Sequence, residues 1–272
     1  MSDPMPSDPV LKTILHRSVW LDQLVEIIDE GPLRMLQFGS HLRQSCMLRA
    51  RPDHLVLPYT RGMMVPLALQ PAPRRILMLG LGGGSMAKFL LHALPDCEID
   101  VVEIIPDLPD LARRYFGVPD TPRLRIRIED GGHFIRRRAA GGPGQFDLIL
   151  MDAFNQDGMA ATVYGEELLP LCHSLLAPGG VLAANLTYRS ASGLSAILHA
   201  LRSTFTEGGV LTLSSSVTAN IVALGLMAPL PKDSAPLLQR ARELDATWSL
   251  DLQLNLKKML DSRRPRWKRL LW

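Results

Sequence analysis

Glycines at positions 80, 82, 83 and 84, followed by Ser85, close an apolar run that begins at Ile76. A side chain at such a turn holds a ligand away from the backbone. Gly80, Gly82, Gly83 and Gly84 instead allow close approach, and a helix start behind them favours partial negative charge. Ser85 stands where a dinucleotide loop carries its third glycine, which weakens a nicotinamide reading without excluding it. Alone, the loop is equally a plain strand–helix joint. Glu103 changes that balance. It ends the next apolar run, 19 residues after Gly84, close to the roughly 20-residue offset at which an acid meets ribose hydroxyls in doubly wound sheets. A carboxylate accepts from two hydroxyls at once, which lysine or an apolar side chain does not.

Asp130 follows the run 124–128 and precedes Gly131. At the carboxyl edge of a third strand its carboxylate can accept from an exocyclic adenine amine, with Gly131 leaving room for the ring. Capping a helix is the competing role, and the two are compatible. Asp152 ends the run 146–151. Partial burial there raises proton affinity, which suits a base taking a proton from an attacking amine. A purely structural acid capping the following loop is the rival account. The seven histidines show no paired metal spacing, so no metal site is expected. Cys172, Met63 and Met64 read as packing. No GxSxG elbow or GxxxxGK[ST] loop is present.

These residues need a sheet to position them. Apolar runs at 76–79, 99–102, 124–128, 146–151 and 181–186 alternate with helical periods at 87–93, 108–116, 166–176 and 193–206. That pattern predicts a parallel sheet covered on both faces. The runs 210–215 and 220–227 are joined too tightly for a parallel crossover and must pair antiparallel. The expected fold class is α/β: a doubly wound, mostly parallel seven-stranded sheet, in the strand order of sulfonium-nucleoside transferases. Shorter runs at 24–28, 33–38 and 45–48, cut by turn residues, predict a small antiparallel β domain ahead of it. The expected organisation is a disordered leader (1–10), a β-hairpin domain (11–60), a Rossmann-like adenosyl-cofactor domain (61–230), then C-terminal helices and a basic tail (231–272).

With 272 residues, 47% of them hydrophobic, and a net charge of +3, the chain can bury a large core and is too near neutral for a general polyanion binder. Three scattered cysteines fit a reducing compartment. No run of 18 apolar residues occurs, and residues 1–9 lack a signal-peptide pattern. A cytoplasmic protein without membrane contact is expected. Arg263, Arg264, Arg266, Lys268 and Arg269 read as a solvated or docking tail rather than a nucleic-acid site.

From about residue 24 to 186 the sequence resembles the spermidine synthase (polyamine aminopropyltransferase) family. The resemblance rests on Phe38 and Gly39 with Gln44, on Pro58, Tyr59, Thr60, Arg61 and Gly62 leading into Met63, and on the loop Gly80 to Gly84. It continues through Glu103, Glu129-Asp130-Gly131 and Asp152 to Gly158. It implies a methyltransferase-like fold, a homodimer, and transfer of an aminopropyl group from decarboxylated S-adenosylmethionine to a small-molecule amine acceptor. By the same resemblance Glu103 holds the ribose, Asp130 and Gly131 meet the adenine, Asp152 deprotonates the amine, and Gln44 and Tyr59 line the site. Four positions depart from the family: Gly83 replaces a loop acid that faces the aminopropyl ammonium, Thr60-Arg61 replaces His-Glu, and Asn155 replaces a diamine-gripping acid. Asn155 and Asp157 are left as the acceptor-binding candidates. An ammonium without an opposing carboxylate loses hydration with little return. Two alternatives therefore stay open: a methyltransferase using intact S-adenosylmethionine, and a non-catalytic protein that keeps the nucleoside pocket.

Overall fold

Alternate side chains of residues 76–79 enter different cores. Ile76 and Met78 join one cluster, Leu77 and Leu79 another, and all four are buried. A strand buried on both faces reads as a continuous apolar run and requires helices on both sides of its sheet. The computed structural model describes residues 11–39, 42–155, 158–187, 191–214 and 219–262. The expected leader (1–10) and basic tail (263–272) lie outside the described residues.

The chain begins with β1 (Lys12–Trp20), β2 (Gln23–Glu30), β3 (Leu33–Phe38) and β4 (Leu42–Leu48), then α1 (Pro58–Gly62) and α2 (Pro66–Leu69). It continues through β5 (Arg75–Leu79), α3 (Ser85–Ala93), β6 (Glu98–Glu103), α4 (Leu108–Phe116), β7 (Leu124–Ile128) and α5 (Gly131–Ala139). Next come β8 (Phe146–Met151), β9 (Phe154–Asn155), β10 (Gly158–Met159), α6 (Ala161–Tyr164), α7 (Leu168–Leu175) and β11 (Leu176–Thr187). The last elements are α8 (Ala191–Thr204), β12 (Val210–Ser214), β13 (Asn220–Leu226), α9 (Ala235–Trp248) and α10 (Leu252–Ser262).

Seven strands form one sheet in the order β12-β13-β11-β8-β5-β6-β7, and β1 to β4 form a separate antiparallel sheet in chain order. In the large sheet β13 runs antiparallel to both neighbours while the β11-β8-β5-β6-β7 pairs are parallel. The expected doubly wound, mostly parallel seven-stranded α/β fold is therefore the one observed. Chain order reverses between β5 and β8. Crevices outside the carboxyl ends of strands at such a switch point are where open α/β sheets bind ligands.

The structure differs from the sequence reading at several elements. β1 was not expected, because an edge strand with mostly exposed or half-buried residues carries little alternation. α5 starts at the cap weighed for Asp130, although its period was not read: two glycines open it, and the Asp130 side chain accepts from the His133 N–H at 3.0 Å. The segment 58–73 resolves into two short helices, each with Pro in its first turn. β11 starts at Leu176, before the apolar run at 181, with its register against β8 shifting between Leu176 and Val181. α7 accordingly stops at Leu175.

A third core joins the small sheet to the large one. Val25, Ile27 and Leu36 pack against Leu108, Leu111 and Phe116 of α4. Lys88 of α3 is buried beside this seam, and its Nζ donates to the carbonyl oxygens of Phe116 (2.6 Å) and Pro52 (2.8 Å) and to Met47 Sδ (3.3 Å). A buried ammonium is tolerated only with such a set of acceptors. Burial still lowers its proton affinity. The small sheet is thereby fixed over the glycine loop. Among the described residues no helix is long and apolar enough to cross a membrane.

Candidate active site

Gly80 follows β5 with φ +100°, and a Cβ there would stand 2.3 Å from the backbone oxygen of Asp152. Only glycine fits a position that is both left-handed and pressed against a neighbouring strand. The contact fixes the switch point, where the Asp152 N–H donates to the Leu79 carbonyl (2.9 Å) and the Gly80 N–H to that of Val102 (2.8 Å). Gly82 (φ +55°) has no atom closer than 3.9 Å to a notional Cβ and leaves an open cradle. Gly84 (φ +70°) is the N-cap of α3 and faces Val118.

Glu103 is 6% exposed. Its Oε2 accepts from the Leu81 N–H at 2.9 Å, and Oε1 accepts from the N–H groups of Ile104 (2.8 Å) and Ile105 (2.9 Å). Burial raises its proton affinity, while these donors and the Gly82 N–H act the other way. The acid thus holds the glycine loop in shape as well as lining the cavity. Asp152 is half-buried at the end of β8. Its Oδ1 accepts from Asn185 Nδ2 at 2.8 Å and its Oδ2 from the Tyr59 hydroxyl at 3.2 Å. Burial pushes its carboxyl up to about 6, against the opposing effect of the two donors. Burial and the Asp152 charge raise the Tyr59 hydroxyl well above its ordinary value, so it remains a neutral donor.

These groups share a cavity of about 420 Å³. Gly80, Leu81 and Gly82 form part of its wall, with Glu103, Asp130, Gly131 and Asp152 at the strand ends. The small sheet supplies Trp20, Gln23, Phe38, Gln44 and Ser45, and α1 supplies Tyr59 and Thr60. Trp20 stands at a two-residue turn in which Leu21 (φ +43°) and Asp22 (φ +61°) both adopt left-handed backbone. Of the residues singled out in the sequence, Tyr59, Gln44, Gly80, Gly82, Glu103, Asp130, Gly131 and Asp152 are thus brought together. Gly83 and Gly84 are buried and do not line the cavity. Asn155 is in β9, where only its backbone is described, and Asp157 lies outside the described residues.

Gly83 has a structural partner. A Cβ there would come within 2.7 Å of Ser45 Oγ, 3.0 Å of Ser45 Cβ and 3.1 Å of Phe116 Cδ1. Ser45 Oγ also lies 3.3 Å from Ser85 Oγ, so two hydroxyls stand beside Gly83. Gly83→Asp should therefore lower the melting temperature by several degrees, since overpacking costs about 1–3 kcal/mol. Adding Ser45→Gly should recover part of the loss in a thermal melt. Equal stability of Gly83→Asp and wild type would mean that Ser45 moves aside freely.

Two residues that the sequence reading passed over belong to this site. Gln23 is 4% exposed and lines the cavity, and its Nε2 is buried without a hydrogen-bond partner among the described residues. An orphaned donor of that kind marks a place for a ligand acceptor. Its signal was present: Gln23 shares the inward phase of Val25 and Ile27. Asn185, a polar residue inside the apolar run 181–186, touches Asp152 from behind.

Fold and site together define a methyltransferase-like α/β protein with its cavity at the switch point of the sheet. A family model described as the spermine/spermidine synthase domain matches residues 58–189. The polyamine aminopropyltransferase of Vibrio vulnificus is 32% identical over 238 residues, covering 85% of this chain and 78% of that protein. The crystal structure of spermidine synthase from Thermotoga maritima aligns with a TM-score of 0.70 at 16% identity, over 94% of this chain and 86% of that one. The human eEF1A lysine and N-terminal methyltransferase is 30% identical over 191 residues, 67% of this chain and 27% of that protein. The chain belongs to the spermine/spermidine synthase family, the polyamine aminopropyltransferases, and is an enzyme of that type.

Proposed function

We propose that this enzyme uses decarboxylated S-adenosylmethionine to place an aminopropyl group on a small amine, with Asp152 as general base. The observation that carries the reading is the Asp152 carboxylate, pushed up to about 6, opening into the same cavity as the glycine loop, Glu103 and Asp130. The adenosine would lie over Leu81 and Gly82, its ribose toward Glu103 and its adenine toward Asp130, with Gln23 Nε2 donating to it. In the reaction the acceptor nitrogen bonds to the carbon next to sulfur, the carbon–sulfur bond breaks, and methylthioadenosine leaves. Asp152 takes the proton that the amine gives up, and Tyr59 steadies the carboxylate through its hydroxyl. The carbon is already activated, so the protein's part is positioning and proton removal. The working form proposed is a cytoplasmic homodimer.

Methyl transfer from intact S-adenosylmethionine is the second reading, favoured by Gly83 and by the Ser45 and Ser85 hydroxyls in place of a loop acid. Thermal melts with each sulfonium compound and with methylthioadenosine separate the two. A ligand at 100 times its dissociation constant stabilises by about 2.7 kcal/mol. Decarboxylated S-adenosylmethionine and methylthioadenosine should raise the melting temperature most. A response confined to the carboxylated compound would sink aminopropyl transfer.

A further inference from the structure

Asp152 is held from behind by amides that do not reach the cavity. Asn185 lies on the neighbouring β11, one residue past the Ala184–Met151 pair in the register with β8, and is 2% exposed. Its Nδ2 donates to Asp152 Oδ1 at 2.8 Å. Its Oδ1 accepts from Asn220 Nδ2 at 2.9 Å, and Asn220 opens β13 on the far side of β11. A carboxamide has one donor end and one acceptor end. With Asn220 donating to its oxygen, Asn185 has its NH2 group left for the carboxylate. The Tyr164 hydroxyl lies 2.9 Å from the Met151 and 2.8 Å from the Asn185 backbone oxygen and shares its one proton between them, bracing the two strands beside both side chains.

The titratable groups that face Asp152 are the Tyr59 hydroxyl from α1 and the Tyr164 hydroxyl from α6; burial raises both well above the ordinary value. Glu103, Glu129 and Asp130 share the cavity wall. A donor to the charged form of a carboxyl lowers its proton affinity. Among the described contacts, the Asn185 amide and the Tyr59 hydroxyl oppose the burial that pushes Asp152 upward.

We propose that Asn220, acting through Asn185, forms a one-way amide relay across three strands that keeps Asp152 ionised and ready to accept the amine proton. This rests on the reading of Asp152 as the base. Neither asparagine lines the cavity, so both are positioning residues.

The test is a carboxyl ¹³C NMR titration of the full chain labelled at aspartate, with the Asp152 resonance assigned by its loss in Asp152→Asn. The wild-type midpoint is expected at about 6. In Asn185→Ala it should rise by about one pH unit, and in Asn220→Ala by less but in the same direction. Asn185→Ser, which keeps a donor, should stay nearer wild type and also guards against a folding defect in the alanine variant. With decarboxylated S-adenosylmethionine and 1,4-diaminobutane as probe substrates, the acid limb of kcat/KM should move with the NMR midpoint. That is a loss of about fivefold at pH 6 that disappears by pH 9. Midpoints that stay put in both alanine variants overturn the relay, and so does a shift in Asn185→Ala with none in Asn220→Ala. If the midpoints move but Asp152→Asn still turns over, the relay stands and the base assignment falls.

Discussion

Asp152→Asn should reduce turnover by about 10²–10⁴-fold, the usual contribution of a positioned general base, while methylthioadenosine binds within about twofold of wild type. The amide keeps the shape of the side chain and can still accept from Asn185, so the cavity is preserved and only proton uptake is lost. Steady-state rates beside calorimetric nucleoside affinity measure the two effects separately. Parallel loss of both would make Asp152 a structural residue.

The pH dependence follows with a definite sign. A base works when ionised, so wild-type kcat/KM should climb tenfold per pH unit below about 6 and level off above it. Stability runs the other way. A folded midpoint above the unfolded value near 3.9 means that the native state binds the extra proton, so Asp152 makes the fold less stable as pH rises from about 4 to about 6. The Asp152→Asn chain should lack that decline.

Glu103→Ala should weaken methylthioadenosine, S-adenosylmethionine and its decarboxylated form alike, by on the order of 100-fold. The Leu81, Ile104 and Ile105 N–H groups would lose their acceptor, and each buried orphan costs about 1–3 kcal/mol. The loop that carries Gly82 then has no reason to keep its shape. Glu103→Gln should fare almost as badly, because its NH2 end would face backbone donors. Dissociation constants for the three compounds decide it. Unchanged affinity in the alanine variant, or full affinity in the glutamine variant, would release Glu103 from this role.

What could be read from residue order is what depends on short-range pattern. The run 76–79 announced a strand buried on both faces, the glycines announced a loop without side chains, and Glu103 and Asp152 stood at strand ends because apolar runs stopped there. β1 was lost because an edge strand needs no inward face. α5 was marked only by its Asp130 cap, because its two glycines oppose helix propensity and the cap and tertiary packing outweigh them. Spacing pointed to Glu103 as a ribose ligand but gave no sign that its oxygens also accept from the loop backbone, since that bond crosses 22 residues. The same holds for Asn185 and Asp152, 33 apart in the chain and adjacent only once β8 and β11 pair. Gln23 was legible in phase but was passed over.

The closeness of Ser45 to the place a Cβ would take at Gly83 also ties the choice of residue at one position to the choice at the other. A side chain at position 83 and the serine at 45 compete for the same space, so either exchange made alone leaves crowding or a gap. A strand of the small sheet and the loop after β5 are thereby made interdependent, and a survey of natural variants should find acids at 83 accompanied by smaller or displaced residues at 45.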